Sequence, residues 1–128
     1  MGTAKRQVLL VDDDPSILKM HGKRFELAWY GVITAADGEE AMAKAREHLP
    51  DVIVLDIELP KLDGFGVCQA VKQDPATASI PILMFTAKGP PPESLAERGL
   101  GADVYISKSA LATVLLEQVA TLLERRPS

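Results

Sequence analysis

Five short apolar runs recur along the chain, each ending on polar residues. Gln7–Val11 (QVLLV) leads into Asp12-Asp13-Asp14, and Val32–Ala36 (VITAA) into Asp37-Gly38. Val52–Leu55 (VIVL) leads into Asp56, Pro81–Phe85 (PILMF) into Thr86, and Val104–Ile106 (VYI) into Ser107-Lys108. Runs apolar on both faces read as strands buried in a parallel sheet. Between them the pattern changes to a helical period. Asp14-Pro15 is a helix start, with aspartate as cap and proline at the first helical position. Ile17, His21, Phe25 and Ala28 then share one face, and Gly31 supplies the stop. Asp37-x-x-Glu40 opens a second helix over Glu39–His48 as a relative of the capping box. Gly64–Lys72 predicts a third, with Phe65, Cys68 and Val71 on one face. Glu93–Arg98 predicts a short fourth. Leu111, Val114, Leu115, Gln118, Val119 and Leu122 mark the last and most regular one.

Five βα units in succession predict an α/β fold with helices on both faces of a parallel sheet. With right-handed crossovers, a chain of this length suits the flavodoxin-like, doubly wound (βα)5 arrangement with strand order 2-1-3-4-5. The 128 residues fit one domain, with a core over about residues 7–125. Apolar residues make up 47% and charged residues 25%, which excludes a disordered or fibrous chain. No apolar run approaches the ~20 residues of a membrane span. Cys68 is the only cysteine, so an internal disulfide is excluded and a reducing cytoplasm fits. Fourteen Lys and Arg against eighteen Asp and Glu give a net charge of −4. That argues against nucleic acid as a direct partner, because such a partner needs a basic face.

Ligands of open parallel sheets bind beyond the carboxyl ends of the strands. Here those ends carry Asp12, Asp13 and Asp14 after the first strand, Asp56 after the third, Thr86 after the fourth and Lys108 after the fifth. The predicted strand order makes these neighbours. Two carboxylates ~4 Å apart repel by about 4 kcal/mol at an effective dielectric near 20, so a cluster needs cations. Lys108 supplies one charge and Mg2+ suits the rest, since it takes one or two carboxylates and keeps positions for phosphate oxygen. A cation, a lysine and a hydroxyl around one carboxylate suit phosphoryl transfer to that carboxylate. Asp56 is the natural nucleophile, Asp12 and Asp13 the metal ligands, and Thr86 and Lys108 the holders of phosphoryl oxygens. Composition and periodicity alone reach an acidic Mg2+ site on a doubly wound sheet.

Val11-Asp12-Asp13-Asp14-Pro15, the segment Val54-Leu55-Asp56 through Asp63-Gly64, Thr86-Ala87 and the segment Gly101-Ala102-Asp103 through Ser107-Lys108 together resemble the receiver domain of bacterial two-component response regulators. The resemblance covers about Gln7 to Arg125. It implies that Asp56 accepts a phosphoryl group from a phosphohistidine of a sensor histidine kinase or phosphotransfer protein. It further implies that Asp13, Asp56 and the backbone carbonyl of Glu58 coordinate Mg2+, with Asp12 holding a metal-bound water. Thr86 and Lys108 would grip the phosphoryl oxygens. Inward movement of Thr86 would let Tyr105 change rotamer, altering the face made by the fourth helix, fifth strand and fifth helix. Physically this is a shift between two existing states. On this reading the chain is a switch that assists its own phosphorylation and dephosphorylation, and no turnover enzyme.

Four departures from the pattern qualify it. Ser109 follows the lysine where the family usually has proline, often after a cis bond, and a cis Lys108–Ser109 bond costs ~3 kcal/mol. Glu58 and Lys88 flank the site, and opposite charges there would exclude water and prolong the phosphoryl state. Pro90-Pro91-Pro92 and Gly99 shorten the fourth helix and alter the output face. The chain ends at Ser128 with no DNA-binding or enzymatic segment. Two alternatives stay open on residues alone. One is a degenerate receiver acting as an interaction module without phosphorylation. The other is a phosphatase of the haloacid-dehalogenase type, for which Asp12-x-Asp14 fits and the cap region is lacking.

Other residues have structural readings. His21 is a packed core histidine, His48 favours a helix C-terminus, and Cys68 is a small core residue. Trp29 covers the base of the first helix, and Lys44–Glu47 form a solvated face. Tyr105 is otherwise a half-buried strand tyrosine. Leu116, Leu123, Ala112 and Ala120 fall off the core stripe of the last helix, which makes them candidates for a partner or homodimer surface.

Overall fold

The computed structural model describes residues 5–56, 59, 64–86, 103–107 and 112–125, the side chains of Thr86, Ala112 and Arg125 excepted. Five strands alternate with helices: β1 (Gln7–Val11), α1 (Pro15–Leu27), β2 (Gly31–Ala35), α2 (Gly38–His48), β3 (Val52–Asp56), α3 (Gly64–Gln73), β4 (Ile82–Thr86), β5 (Val104–Ser107) and α4 (Ala112–Arg125). All pairings are parallel and the order is β2-β1-β3-β4-β5, as the alternation predicts. Strand bounds match the apolar runs to within a residue. The predicted Glu93–Arg98 helix and the triple proline lie outside the described residues.

The pleat explains why the strands are apolar throughout. Leu9, Val11, Ile53, Leu55, Ile82 and Met84 point to one face, where they meet Ala41, Met42 and Ala45 of α2 and Val67, Cys68 and Val71 of α3. Val8, Leu10, Val52, Val54, Leu83 and Phe85 point to the other, against Phe25 of α1 and Leu115, Val119, Leu122 and Leu123 of α4. Alternate side chains thus serve two cores, and neither face is left for water. In β3 all five residues are buried.

Leu123 corrects one expectation. It is 6% exposed and belongs to the core, and Leu116 packs partly against it. The stripe of α4 is one residue wider than a strict helical period suggests, because a helix lying flat on a sheet buries a broad face. Ala120 is half-buried. This makes Leu123 a packing residue, while Leu116 packs against the core and stays half-buried.

The helix ends are governed by side chains. Asp14 Oδ1 accepts the Ser16 N–H at 2.9 Å and Pro15 occupies the first turn of α1. Asp37 Oδ1 accepts the Glu40 N–H at 2.8 Å, and Glu40 Oε1 accepts the Ala36 N–H at 2.6 Å, the reciprocal arrangement of a capping box. The stop of α1 differs from expectation. Gly31 is the first residue of β2, and the left-handed position after the helix belongs to Trp29, with φ 73°. Leu49, directly after α2, is left-handed too, with φ 47°. Left-handed backbone costs an L-residue roughly 1–2 kcal/mol. Trp29 is 73% exposed and has Lys5 Nζ 4.4 Å above its ring, so it stands out from the base of α1 and covers little of it. Ala28 is exposed as well.

The turn after α3 is built on Asp74. Its Oδ1 accepts the Ala76 N–H at 3.0 Å, its Oδ2 meets Arg46 Nε of α2 at 3.0 Å, and buried Thr77 donates its hydroxyl to the Val71 carbonyl at 2.9 Å. The Ala76 N–H, and then the Arg46 guanidinium, hold the Asp74 carboxyl below its ordinary range. A depressed carboxyl contributes stability above its unfolded value, which is lost as pH falls through the folded one. Asp74→Asn is therefore expected to destabilise the chain at pH 7. The difference from wild type should shrink as pH falls through the range in which the folded Asp74 carboxyl takes up its proton, measured as urea midpoints at pH 7 and in acid.

Candidate phosphoacceptor site

The site grows from the ends of the two central strands. β1 continues beyond Val11, because the Asp12 N–H donates to the Ala35 carbonyl at 3.1 Å. This places the Asp12 side chain, 4% exposed, at the carboxyl rim. Its Oδ1 accepts the Asp14 N–H at 3.0 Å, so the carboxylate orients the turn that starts α1. Asp13, between them, is exposed. Asp56 is the last residue of β3, 4% exposed, and lies in register with Phe85 of β4.

Asp12, Asp13 and Asp56 each offer a carboxylate oxygen, and these oxygens lie within 4.8 Å of one another. Two full charges at that separation repel by about 3–4 kcal/mol at an effective dielectric near 20. Two of the three are buried, where water screens poorly. An all-oxygen donor set of this charge suits a small hard divalent cation, and the exposed edge at Asp13 leaves it a route in. The convergence of Asp12, Asp13 and Asp56 is the one predicted from strand order.

Other predicted residues are placed as follows. Thr86 closes β4 in register with Ser107. Tyr105 is half-buried, pairs with Met84, and packs on the sheet face that carries α2 and α3. Glu58, Lys88, Lys108 and the Lys108–Ser109 bond lie outside the described residues. His21 is the packed histidine expected, with a partner that periodicity does not reveal. Its ring stacks on Phe85 with centroids 5.3 Å apart, and Arg24 Nη1 approaches its Nδ1 at 3.4 Å. Phe85 directly precedes Thr86, so α1 supports the strand end that bears the predicted hydroxyl. Sequence reasoning also missed Asp103. Its Oδ2 accepts the Ile82 N–H at 2.8 Å and meets Lys72 Nζ at 3.4 Å, tying the start of β5 to β4 and α3. Its place beside Gly101-Ala102 before an apolar run was the available signal.

Comparison with known proteins agrees with this geometry. The family model of the response regulator receiver domain matches residues 8–120. The chain is 41% identical over 119 residues to the DNA-binding dual master transcriptional regulator RpaA of Synechocystis, covering 93% of this chain and 49% of that protein. It is 42% identical over 120 residues to the alkaline phosphatase synthesis regulatory protein PhoP of Bacillus subtilis, covering 94% and 49%. The chain thus spans about half the length of these relatives. A response regulator structure from Chloroflexus aurantiacus superposes with a TM-score of 0.86 at 36% identity, covering 94% of this chain and 99% of that one. With five parallel strands in this order, acids at the rim and a family match over most of its length, the chain belongs to the response regulator receiver domains.

Proposed function

We propose that the domain is a phosphoacceptor switch in which Asp56 takes a phosphoryl group from a phosphohistidine of a sensor kinase or phosphotransfer protein. The observation that carries this is the meeting of Asp12, Asp13 and Asp56 within 4.8 Å at adjoining strand ends. An Asp56 carboxylate oxygen attacks phosphorus. The P–N bond to the donor imidazole breaks, and the imidazole leaves with the bond's electron pair and gains a proton. Asp13, Asp56 and the Glu58 carbonyl would hold Mg2+, with Asp12 assisting them. Bound Mg2+ supplies positive charge for the equatorial phosphoryl oxygens. Lys108 adds a second charge and Thr86 a hydroxyl donor, while Glu58 and Lys88 tune the loss of the phosphoryl group.

Position 86 lies two residues beyond Met84 on β4, and Tyr105 is in register with Met84. A hydroxyl drawn toward the phosphoryl group therefore changes the packing beside Tyr105, and the face around β5 shifts between two states. The regulated partner is a protein segment, tethered or separate. DNA contact, which the name of the Synechocystis relative reports for that protein, falls to the partner. The acidic domain itself is unsuited to it. Among the described residues no helix is long and apolar enough to cross a membrane.

Incubation with acetyl phosphate and Mg2+, followed by intact mass measurement, is expected to show a gain of one phosphoryl group that Asp56→Asn abolishes. An unchanged wild-type mass would leave an interaction module that works without phosphorylation.

A further inference from the structure

α1 carries a histidine where packing alone asks for a hydrocarbon. His21 is half-buried and lies one turn before Phe25, which is fully buried. Leucine would fill such a position with no polar atoms to satisfy, whereas an imidazole brings two. Arg24, also half-buried, places its Nη1 3.4 Å from the His21 Nδ1. An arginine only donates, so Nδ1 is the acceptor in this pair. Residues three apart are neighbours on a helix surface, and here one orients the ring of the other.

That ring stacks on Phe85, with centroids 5.3 Å apart and planes 29° from parallel. Stacked flat rings prefer a defined offset and tilt, which an aliphatic side chain does not impose. Phe85 is buried in the second core, with Ile106 of β5 and Leu115 of α4. It is the last residue of β4 in register with β3, and its register partner there is Asp56. Thr86, next along, is in register with Ser107 of β5. In the strand pairing β4 is thus braced from both sides up to Phe85 and from one side beyond it. Whatever fixes Phe85 also fixes where the chain enters position 86.

We infer that His21 is a positioning residue for phosphoryl transfer: through its stack on Phe85 it holds the end of β4 so that the hydroxyl at position 86 meets the phosphoryl group on Asp56. This inference rests on the Asp56 reading. His21 itself exchanges no bond or proton with the phosphoryl group. A donor that is held in place contributes to every turnover, and one that wanders contributes to a fraction of them.

The test follows the phosphoryl gain of the full chain by intact mass, at saturating acetyl phosphate and Mg2+. His21→Leu keeps the apolar volume and removes the flat ring. It should slow the gain by about two- to tenfold, the range that the energy of a ring pair spans. His21→Phe puts a ring back on Phe85 and should regain the wild-type rate. In a Thr86→Ala background His21→Leu should slow nothing further, because the group it positions is gone. A role in packing alone would lower the thermal midpoint of His21→Leu and leave its rate at the wild-type value, and that result overturns the inference. Equal losses for His21→Leu and His21→Phe, or the same loss in both backgrounds, overturn it as well. A wild type that gains no mass brings down the Asp56 reading and this inference together. A wild-type gain that the His21 variants share in full removes this inference alone.

Discussion

Adding Mg2+ to the chain is expected to raise its thermal midpoint, and Asp13→Asn is expected to remove most of that rise. The reason is electrostatic. Asp12, Asp13 and Asp56 bring three carboxylate oxygens within 4.8 Å, and two of these residues are buried. Folding brings the Asp56 carboxylate against those of the adjacent Asp12 and Asp13, so an ion that binds only the folded cluster stabilises it by mass action. At a hundredfold excess over its dissociation constant this amounts to about 2.7 kcal/mol. For a chain of this size that corresponds to a midpoint shift of about 10 °C. The variant should invert the order. Without Mg2+, Asp13→Asn loses two of the three pairwise repulsions and melts at or above the wild-type temperature. With Mg2+ it melts below wild type. Differential scanning calorimetry with and without the ion checks both halves, and matched NaCl separates site binding from general screening. Equal Mg2+ responses of the two proteins would remove Asp13 from the metal site.

Phe25→Ala is expected to be the most damaging single truncation in α1. Phe25 is fully buried, lies against the β-sheet face shared with α4, and meets the Tyr30 ring edge-on at 5.8 Å and 74°. Emptying such a site costs about 3–5 kcal/mol, a large part of the roughly 5–15 kcal/mol available to a domain. Leu27→Ala, two residues on, removes a side chain that is 78% exposed and should stay within about 0.5 kcal/mol. Urea unfolding of the pair checks the contrast. A Phe25→Ala cost as small as that of Leu27→Ala would mean that α1 contributes little to the second core.

Much of the architecture is legible in the residues. VLLV (Val8–Val11) and VIVL (Val52–Leu55) are apolar at every position, and only a strand covered on both sides needs that. The acidic site is legible for a related reason: Asp12 and Asp56 follow such runs directly, and parallel strands deliver their ends to one rim. Legibility fails where a residue's role depends on the surface it meets. Leu123 looks peripheral on a helical wheel and is buried because α4 lies on a flat sheet. Trp29 looks like a cover and stands in solvent, because the chain must reverse in a left-handed turn before β2 starts at Gly31. His21 is plainly a core-facing histidine, yet its stacking on Phe85 depends on how far along the sheet α1 sits. Asp103 and Thr77 satisfy backbone groups of other segments, and which groups those are depends on how the segments pack.

The complete burial of β3 bears on how the proposed acceptor, Asp56, behaves over time. Asp56 ends a strand whose side chains anchor two separate cores and whose backbone is paired on both sides by β1 and β4. Such a strand opens to solvent only when the whole domain opens. The aspartate's surroundings are then as durable as the protein itself, so on the proposed reading the lifetime of a phosphoryl group there would be governed by solvent reaching it from the rim.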